Sequence, residues 1–167
     1  LDAGHSYVII RHPRAHVLSM YFHCTESAET RAYAHQMPSL DEWLEQWTAA
    51  KAKRGTIPKH RCYNPINMQV RQVGTSDAVT LTKRYDVVGL NEHLEQSTCL
   101  SSIAVHKAVP SRCNCSATRP RLSHSPRVDH NVKHHGSSFQ TTGVQNDWIT
   151  ALTLLDQVLY EAAYQTF

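Results

Sequence analysis

An arginine and a serine eight residues apart, in the stretch YVIIRHPRAHVLSMY (7–21), could together bind a phosphate group. Arg11 directly follows an apolar, β-branched run, and the fixed backbone angle of Pro13 suits the first turn of a helix. Free amides at such a helix start attract anions, and a guanidinium binds phosphate oxygens with paired hydrogen bonds. The hydroxyl of Ser19 would add a further donor. The pattern predicts a phosphate monoester site that Arg14 could join; the alternatives are a surface ion pair for Arg11 and a solvated charge for Arg14.

The histidines and cysteines allow a second chemistry. Cys113 and Cys115 precede four histidines that could act as metal ligands: His124, His130, His134 and His135. Structural zinc sites more often use C-x2-C pairs with regular histidine spacing, so this pattern favours disulfides or free thiols over zinc. Five cysteines are an odd number, so at least one has no partner within the chain.

Composition limits the class of ligand. The 167 residues are 41% hydrophobic, enough for a core, and 17 basic and 14 acidic residues are interleaved along the chain to give a net charge of +3. Because no basic face is concentrated, a single anionic ligand is a better prediction than nucleic acid. No apolar run approaches the roughly 18 to 20 residues of a membrane span, which predicts a soluble chain over these residues.

Hydrophobic patterns place these residues on strands and helices. Short buried strands are predicted at 7–10 and 85–90, the first covered on both faces, with a helix beginning near residue 11 or 12 after the first strand. Ser39 and Glu42 form a capping box that starts the clearest helix, which ends before Gly55. Further helices are predicted at 76–85 and from Asn91 to about residue 103.

The rest of the chain is predicted as irregular segments and one closing helix. Residues 55–74 are a Pro- and Asn-containing segment in which Gln69 and Arg71 follow a turn and are predicted to lie in a solvated loop, while facing the acceptor is the alternative. The His- and Cys-containing stretch 107–142 shows little apolar periodicity and is predicted as a long surface loop. One helix closes the chain, with its apolar face at Trp148, Leu152, Leu155, Leu159 and Ala162 or Ala163; Trp43, Trp47 and Trp148 are predicted as core residues. The order of elements predicts a single partial α/β domain with few strands.

Three segments resemble one family. RHPRAHVLSMY resembles the 3′-phosphate-binding motif of the PAPS-dependent sulfotransferases, which Arg11, Pro13, Ser19 and Tyr21 match, while His12 stands where aspartate is common. YDVVGLNEHLEQSTCLSS (85–102) is similar to their F-x-x-V-G-x-x-E-x-x-x-x-S segment, and LTLLDQVLYEAAYQTF (152–167) to their closing helix. The order of these segments resembles the Golgi-type carbohydrate sulfotransferases.

The resemblance implies a fold, a reaction and a site. It implies a partial P-loop-NTPase-like parallel sheet with flanking helices, and transfer of a sulfuryl group from PAPS to a hydroxyl or amine of a carbohydrate. Arg11 and Ser19 would hold the 3′-phosphate of PAPS, with further cofactor contacts from three residues of the HNVKHHGSS loop: Lys133, His134 and Gly136. No metal is expected. Such enzymes are type II membrane proteins of the Golgi lumen.

One expected part of the family pattern is absent. The family carries a Gly- and Lys/Thr-containing loop for the 5′-phosphosulfate, whereas no G-K-[ST] cluster occurs in this chain and its six glycines are scattered: Gly4, Gly55, Gly74, Gly89, Gly136 and Gly143. Two explanations compete: the chain is the carboxyl-terminal part of an active sulfotransferase, which the retained Arg11 and Ser19 favour, or a degenerate relative that no longer catalyses. On either one, we expect poor activity of the chain by itself and no assignable catalytic base. The alternative function is a noncatalytic metal- or phosphate-binding module.

Overall fold

A computed structural model describes residues 4–27, 30, 34–53, 58, 62–113, 136 and 138–167. These residues have a mixed α/β structure that is mostly helical. The order of elements is β1 (Tyr7–Ile10), α1 (Pro13–Glu26), α2 (Leu40–Ala52), α3 (Met68–Val73), α4 (Ala78–Arg84), β2 (Val87–Leu90), α5 (Leu94–His106), α6 (Gly143–Leu152) and α7 (Leu154–Thr166). Short 3-10 turns lie at Asn91–His93 and Ser111–Cys113.

The chain divides into two compact units. The strand unit comprises the described residues of Leu1–Arg11, Thr75–Val128 and Val158–Phe167, and the helical unit those of His12–Gly74 and Asp129–Gln157. Each has its own apolar interior.

In the strand unit, β1 and β2 are parallel, with Tyr7 opposite Val87 and Ile10 opposite Leu90. This confirms the two predicted strands. All of β2 is buried, whereas only Ile10 of β1 is buried and Tyr7 is 65% exposed. The prediction that β1 is covered on both faces is therefore wrong for the described residues, because α5 packs chiefly against β2.

The helical unit is built around α1, α2 and α6. Eleven buried side chains form its core: Val17, Leu18, Met20, Tyr21, Phe22, Leu40, Trp43, Leu44, Trp47, Ile149 and Leu152. Trp43 and Trp47 are core residues as predicted, and Trp148 packs against the same cluster while partly buried. The Ser39–Glu42 capping box starts α2 as expected, and the Cys24–Cys62 disulfide ties the end of α1 to residue 62.

Several predicted boundaries differ from the structure. Helix α1 begins at Pro13, and α3 is a short helix inside the segment predicted as a loop. The predicted single closing helix is two helices that separate at Thr153, so that Ile149 is buried while Leu155 is 48% exposed. The assignment of Leu155 to the apolar face is therefore wrong, because the break changes which side chains face the core.

Candidate functional site

Arg11 lies at the carboxyl end of β1, as predicted. The two strands end in register at Ile10 and Leu90, so residues that follow them meet at the same edge of the sheet. Partial burial lowers the pKa of Arg11, and the carboxylate of Glu92, two residues after β2, acts in the opposite direction. Arg11 thus follows a strand at the sheet edge where α/β proteins commonly bind ligands, and the charge of Glu92 acts on it.

Glu92 belongs to the V-G-x-x-E-x-x-x-x-S segment, in which Gly89 and Ser97 pack against each other. A Cβ atom added at Gly89 would lie 2.6 Å from Ile9 Cδ1 and 2.7 Å from Ser97 Cβ. Ser97 Oγ accepts a hydrogen bond from Leu90 N at 2.8 Å. The same hydroxyl lies 2.8 Å from Leu90 O and 2.9 Å from His93 O, and it can donate its proton to either carbonyl. These contacts fix the turn between β2 and α5 and hence the position of Glu92.

The charge of Glu92 also acts on Tyr160, which lies on α7. Burial raises the pKa of its hydroxyl, and the charge of Glu92 raises it further. The charge of Glu92 therefore acts on both Arg11 and Tyr160 within the strand unit. The sequence analysis named Arg11 as a site residue but not Glu92 or Tyr160; the glutamate of the V-G-x-x-E segment and the tyrosine of the closing helix were the signals that could have drawn attention to these two residues.

In the helical unit, the structure brings Gly136 to the backbone of α1. A Cβ atom at Gly136 would lie 2.2 Å from Ala15 O and 2.8 Å from Ser19 N, so only glycine allows this approach. Gly136 is buried and Ser19 is half-buried. Two residues that the sequence assigned to the cofactor site, 117 positions apart, thus lie against each other.

Arg14 is held by the segment that follows Gly136. Its Nε donates to Thr141 Oγ1 at 2.9 Å and its Nη2 to the Phe139 carbonyl. Thr141 Oγ1 is in turn 2.6 Å from Asn146 Oδ1 on α6. The side chain of Arg14 therefore anchors residues 139–141 to the start of α1.

Two predicted cofactor contacts, Lys133 and His134, lie outside the described residues. Four potential metal ligands do so as well: Cys115, His124, His130 and His135. Cys113 is paired with Cys99 in a disulfide, which removes one thiolate from the zinc alternative. Among the residues that the structure describes, no three His, Cys, Asp or Glu side chains are placed to hold a metal ion.

The first turn of α1 suits an anion. The His12 side chain makes no capping hydrogen bond, and the first turn carries no acidic residue. An aspartate at position 12, where the sulfotransferases commonly have one, would place a negative charge there. The histidine leaves the positive end of the helix dipole without that charge.

No described helix combines the length and apolar character needed to cross a bilayer. Comparisons with protein-family models, with curated proteins and with solved structures find no match to this chain.

Proposed function

We propose that the chain is the carboxyl-terminal part of a Golgi-type carbohydrate sulfotransferase that transfers a sulfuryl group from PAPS to a hydroxyl or amine. One observation carries the proposal: Arg11 directly follows a parallel strand, the 14-residue helix α1 begins two residues later, and Gly136 lies against the backbone of Ser19 on that helix. A strand end, a helix start and a close glycine are the parts from which proteins commonly build phosphate sites.

In this proposal, Arg11 and Ser19 bind the 3′-phosphate of PAPS. The guanidinium supplies paired donors, the first-turn amides of α1 add partial positive charge, and Ser19 adds a hydroxyl. Glu92 orients the guanidinium of Arg11 through their electrostatic attraction. Arg14 supports the site by holding residues 139–141, which follow Lys133 and His134 along the chain.

These residues position the cofactor and do not touch the sulfur. In the reaction, the acceptor oxygen or nitrogen forms a bond to sulfur as the bond from sulfur to the bridging phosphate oxygen breaks, in a displacement that resembles phosphoryl transfer. A base takes the acceptor's proton, and the contacts to the 3′-phosphate hold the nucleotide so that its leaving phosphate is aligned with the attacking acceptor atom. None of the residues described above is assigned as that base.

The two disulfides support the proposed compartment. Cys24–Cys62 lies in the helical unit and Cys99–Cys113 in the strand unit. Such bonds persist in the secretory pathway and are rare in the cytosol. A Golgi lumenal location, with a type II membrane anchor in the full-length protein, places the domain among its carbohydrate acceptors.

The second candidate is a noncatalytic phosphate-binding module. The same half-buried Arg11 and the uncapped start of α1 favour it, since both could hold a phosphorylated ligand without any transfer reaction. The metal-binding form of this alternative has less support, because Cys113 is in a disulfide.

Thermal unfolding with adenosine 3′,5′-bisphosphate tests the proposal. A ligand present at about 100 times its dissociation constant stabilises the native state by about 2.7 kcal/mol, so the midpoint of unfolding should rise by several degrees. Arg11→Ala should abolish this rise and Arg11→Lys should reduce it, because lysine lacks the planar fork. Lys83→Ala, which removes an exposed positive charge at the end of α4, should leave the rise intact.

Two outcomes would overturn the assignment. The nucleotide could fail to raise the midpoint of the wild-type chain, or raise it equally in Arg11→Ala and in Lys83→Ala. Stabilisation by zinc that a chelator reverses, without any nucleotide effect, would instead favour the metal-binding module. Stabilisation by inorganic phosphate as large as that by the nucleotide would favour the phosphate-binding module.

A further inference from the structure

A cavity of about 450 Å³ lies in the strand unit, between β1 and one face of α5. Its apolar walls include Tyr7 and Ile9 on β1 and Leu94 and Val105 on α5. Tyr7, Leu94 and Val105 are each at least half exposed, so the walls are open to a ligand. A volume of this size and a mainly apolar lining are typical of small-molecule sites.

Two hydroxyl groups on α5 offer the cavity hydrogen-bond acceptors. Thr98 and Ser101 line it, and each donates its only hydroxyl proton to a backbone carbonyl one turn earlier: Thr98 Oγ1 to Leu94 O at 2.7 Å and Ser101 Oγ to Ser97 O at 3.0 Å. A hydroxyl has one proton and two lone pairs. Toward the cavity these side chains therefore offer acceptors and no donors.

Ser6, which precedes β1, is a further hydroxyl in the cavity lining whose proton is already used. Its Oγ lies 3.1 Å from both the Arg84 carbonyl and Asp86 Oδ2, either of which takes its proton. Hydrogen bonds from Ser6 lower the pKa of Asp86, with smaller contributions from the charges of His5 and Lys107, so a carboxylate persists beside the cavity. The carboxyl end of α5 adds partial negative charge next to His106, which also lines it.

We propose that this cavity binds a small molecule with an apolar body and a hydrogen-bond-donating head, a primary alkylamine being the simplest case. The apolar body lies against Tyr7, Ile9 and Val105, and the ammonium group donates to the oxygens of Thr98 and Ser101. The site does not depend on the proposed function, because the cavity lining reaches Ile9 on β1 and does not include Arg11.

Matched probes test the chemistry. Hexylamine, hexanol and hexanoate share an apolar chain and differ in the head group, and their binding can be compared by NMR titration at pH 8. Hexylamine should bind at least about tenfold more tightly than hexanoate, with hexanol between them, because a charged donor makes stronger hydrogen bonds and hexanoate has no donor. The shifted signals should include those of Tyr7 and Val105.

Matched variants test the site. Thr98→Val keeps the shape and removes the acceptor, and it should weaken hexylamine binding about threefold to tenfold. Thr82→Val is the control, since Thr82 Oγ1 makes the same bond to a carbonyl one turn earlier, on α4 and away from the cavity, at 3.1 Å. Ser101→Ala provides a second measurement if Thr98→Val fails to fold.

The proposal would be overturned by hexanoate binding as tightly as hexylamine, by all three probes binding equally, or by none binding. It would also fail if Thr98→Val and Ser101→Ala both bound hexylamine with the affinity of Thr82→Val.

Discussion

At the residue scale, Gly89 and Ser97 explain a motif that the sequence shows only as a spacing. No side chain fits at Gly89, because Ile9 and Ser97 occupy the space that a Cβ atom would need. Ser97 is fully buried, and its hydroxyl is a hydrogen-bond partner for the amide and carbonyl of Leu90, the last residue of β2. The pair therefore determines how closely α5 approaches the sheet.

Gly89→Ala should destabilise the chain. The added methyl group would force the sheet and α5 apart, and overpacking of this kind costs about 1 to 3 kcal/mol of unfolding free energy. Urea denaturation measures the change. Gly143→Ala is the matched control, because a Cβ atom at Gly143 meets nothing within 4 Å, and it should leave the midpoint unchanged or slightly raised. Equal midpoints for the two variants would contradict this account of the motif.

The individual site residues were predictable to different degrees. Arg11 could be placed at a strand end because a short β-branched run followed by Pro13 is a local pattern. Glu92 could not be recognised as its electrostatic partner, because their proximity depends on the register between strands that lie 80 residues apart. The contact of Gly136 with α1 is likewise set by tertiary packing, which no local pattern encodes.

At the element scale, residues 64–70 determine where the closing helix breaks. Asn67 has a left-handed backbone conformation with φ of 43°, its amide donates to Leu152 O at 3.1 Å, and its Oδ1 accepts from Leu155 N at 2.9 Å. Asn67 thus bonds the end of α6 and the start of α7. The capping box of α2 is a local signal and was predictable, whereas this break depends on a distant residue and was not.

Asp156 reinforces the same junction. It is buried, and its carboxylate accepts from Val70 N at 2.8 Å and from Gln69 N at 3.3 Å. Burial raises its pKa, and the two backbone hydrogen bonds and the charge of Arg71 oppose this without reversing it. The folded state binds the proton of Asp156 more tightly than the unfolded state does. The free energy of unfolding therefore falls as the pH rises from the pKa of this group in the unfolded state through its pKa in the folded state.

Asp156→Asn should destabilise the chain by about 1 to 3 kcal/mol, because the amide directs an N–H group at a backbone N–H. The loss should be larger near pH 4.5 than at pH 7, since only the wild type is stabilised by proton uptake at low pH. Denaturant titrations at both pH values measure it. Asp147→Asn, at an exposed position on α6, should have little effect at either pH. A loss that stayed constant or grew with rising pH would refute the assigned direction of the pKa shift.

At the scale of the whole molecule, each compact unit carries one disulfide. The Cys24–Cys62 bond closes a separation of 38 residues and the Cys99–Cys113 bond one of 14. Constraining the unfolded chain in this way stabilises the native state by about 4 and 3 kcal/mol for loops of these lengths.

Replacing each cysteine pair by serine should lower the urea midpoint, with the larger loss for Cys24→Ser/Cys62→Ser because its loop is longer. Dithiothreitol should lower the midpoint of the wild type and leave that of a variant lacking all four cysteines unchanged. A wild-type midpoint insensitive to the reductant would show that these bonds do not stabilise the chain, and it would remove the support they give to a lumenal location.

The fold class was predictable from the sequence, but the burial of each strand was not. Two apolar β-branched runs and the helical spacing between them are enough to predict a parallel α/β arrangement. How far the sheet is covered depends on which elements pack on each face. The full or partial exposure of most of the β1 side chains was therefore seen only in the structure.

The most direct test of the central claim compares the affinities of adenosine 3′,5′-bisphosphate and adenosine 5′-monophosphate by calorimetry. If Arg11 and Ser19 bind the 3′-phosphate, the wild type should prefer the bisphosphate by at least about tenfold, since hydrogen bonds to charged groups contribute about 1.5 to 3 kcal/mol. Arg11→Ala should lose most of this preference, and Ser19→Ala part of it. Equal affinity of the wild type for the two nucleotides, or a preference that persists in Arg11→Ala, would contradict the claim.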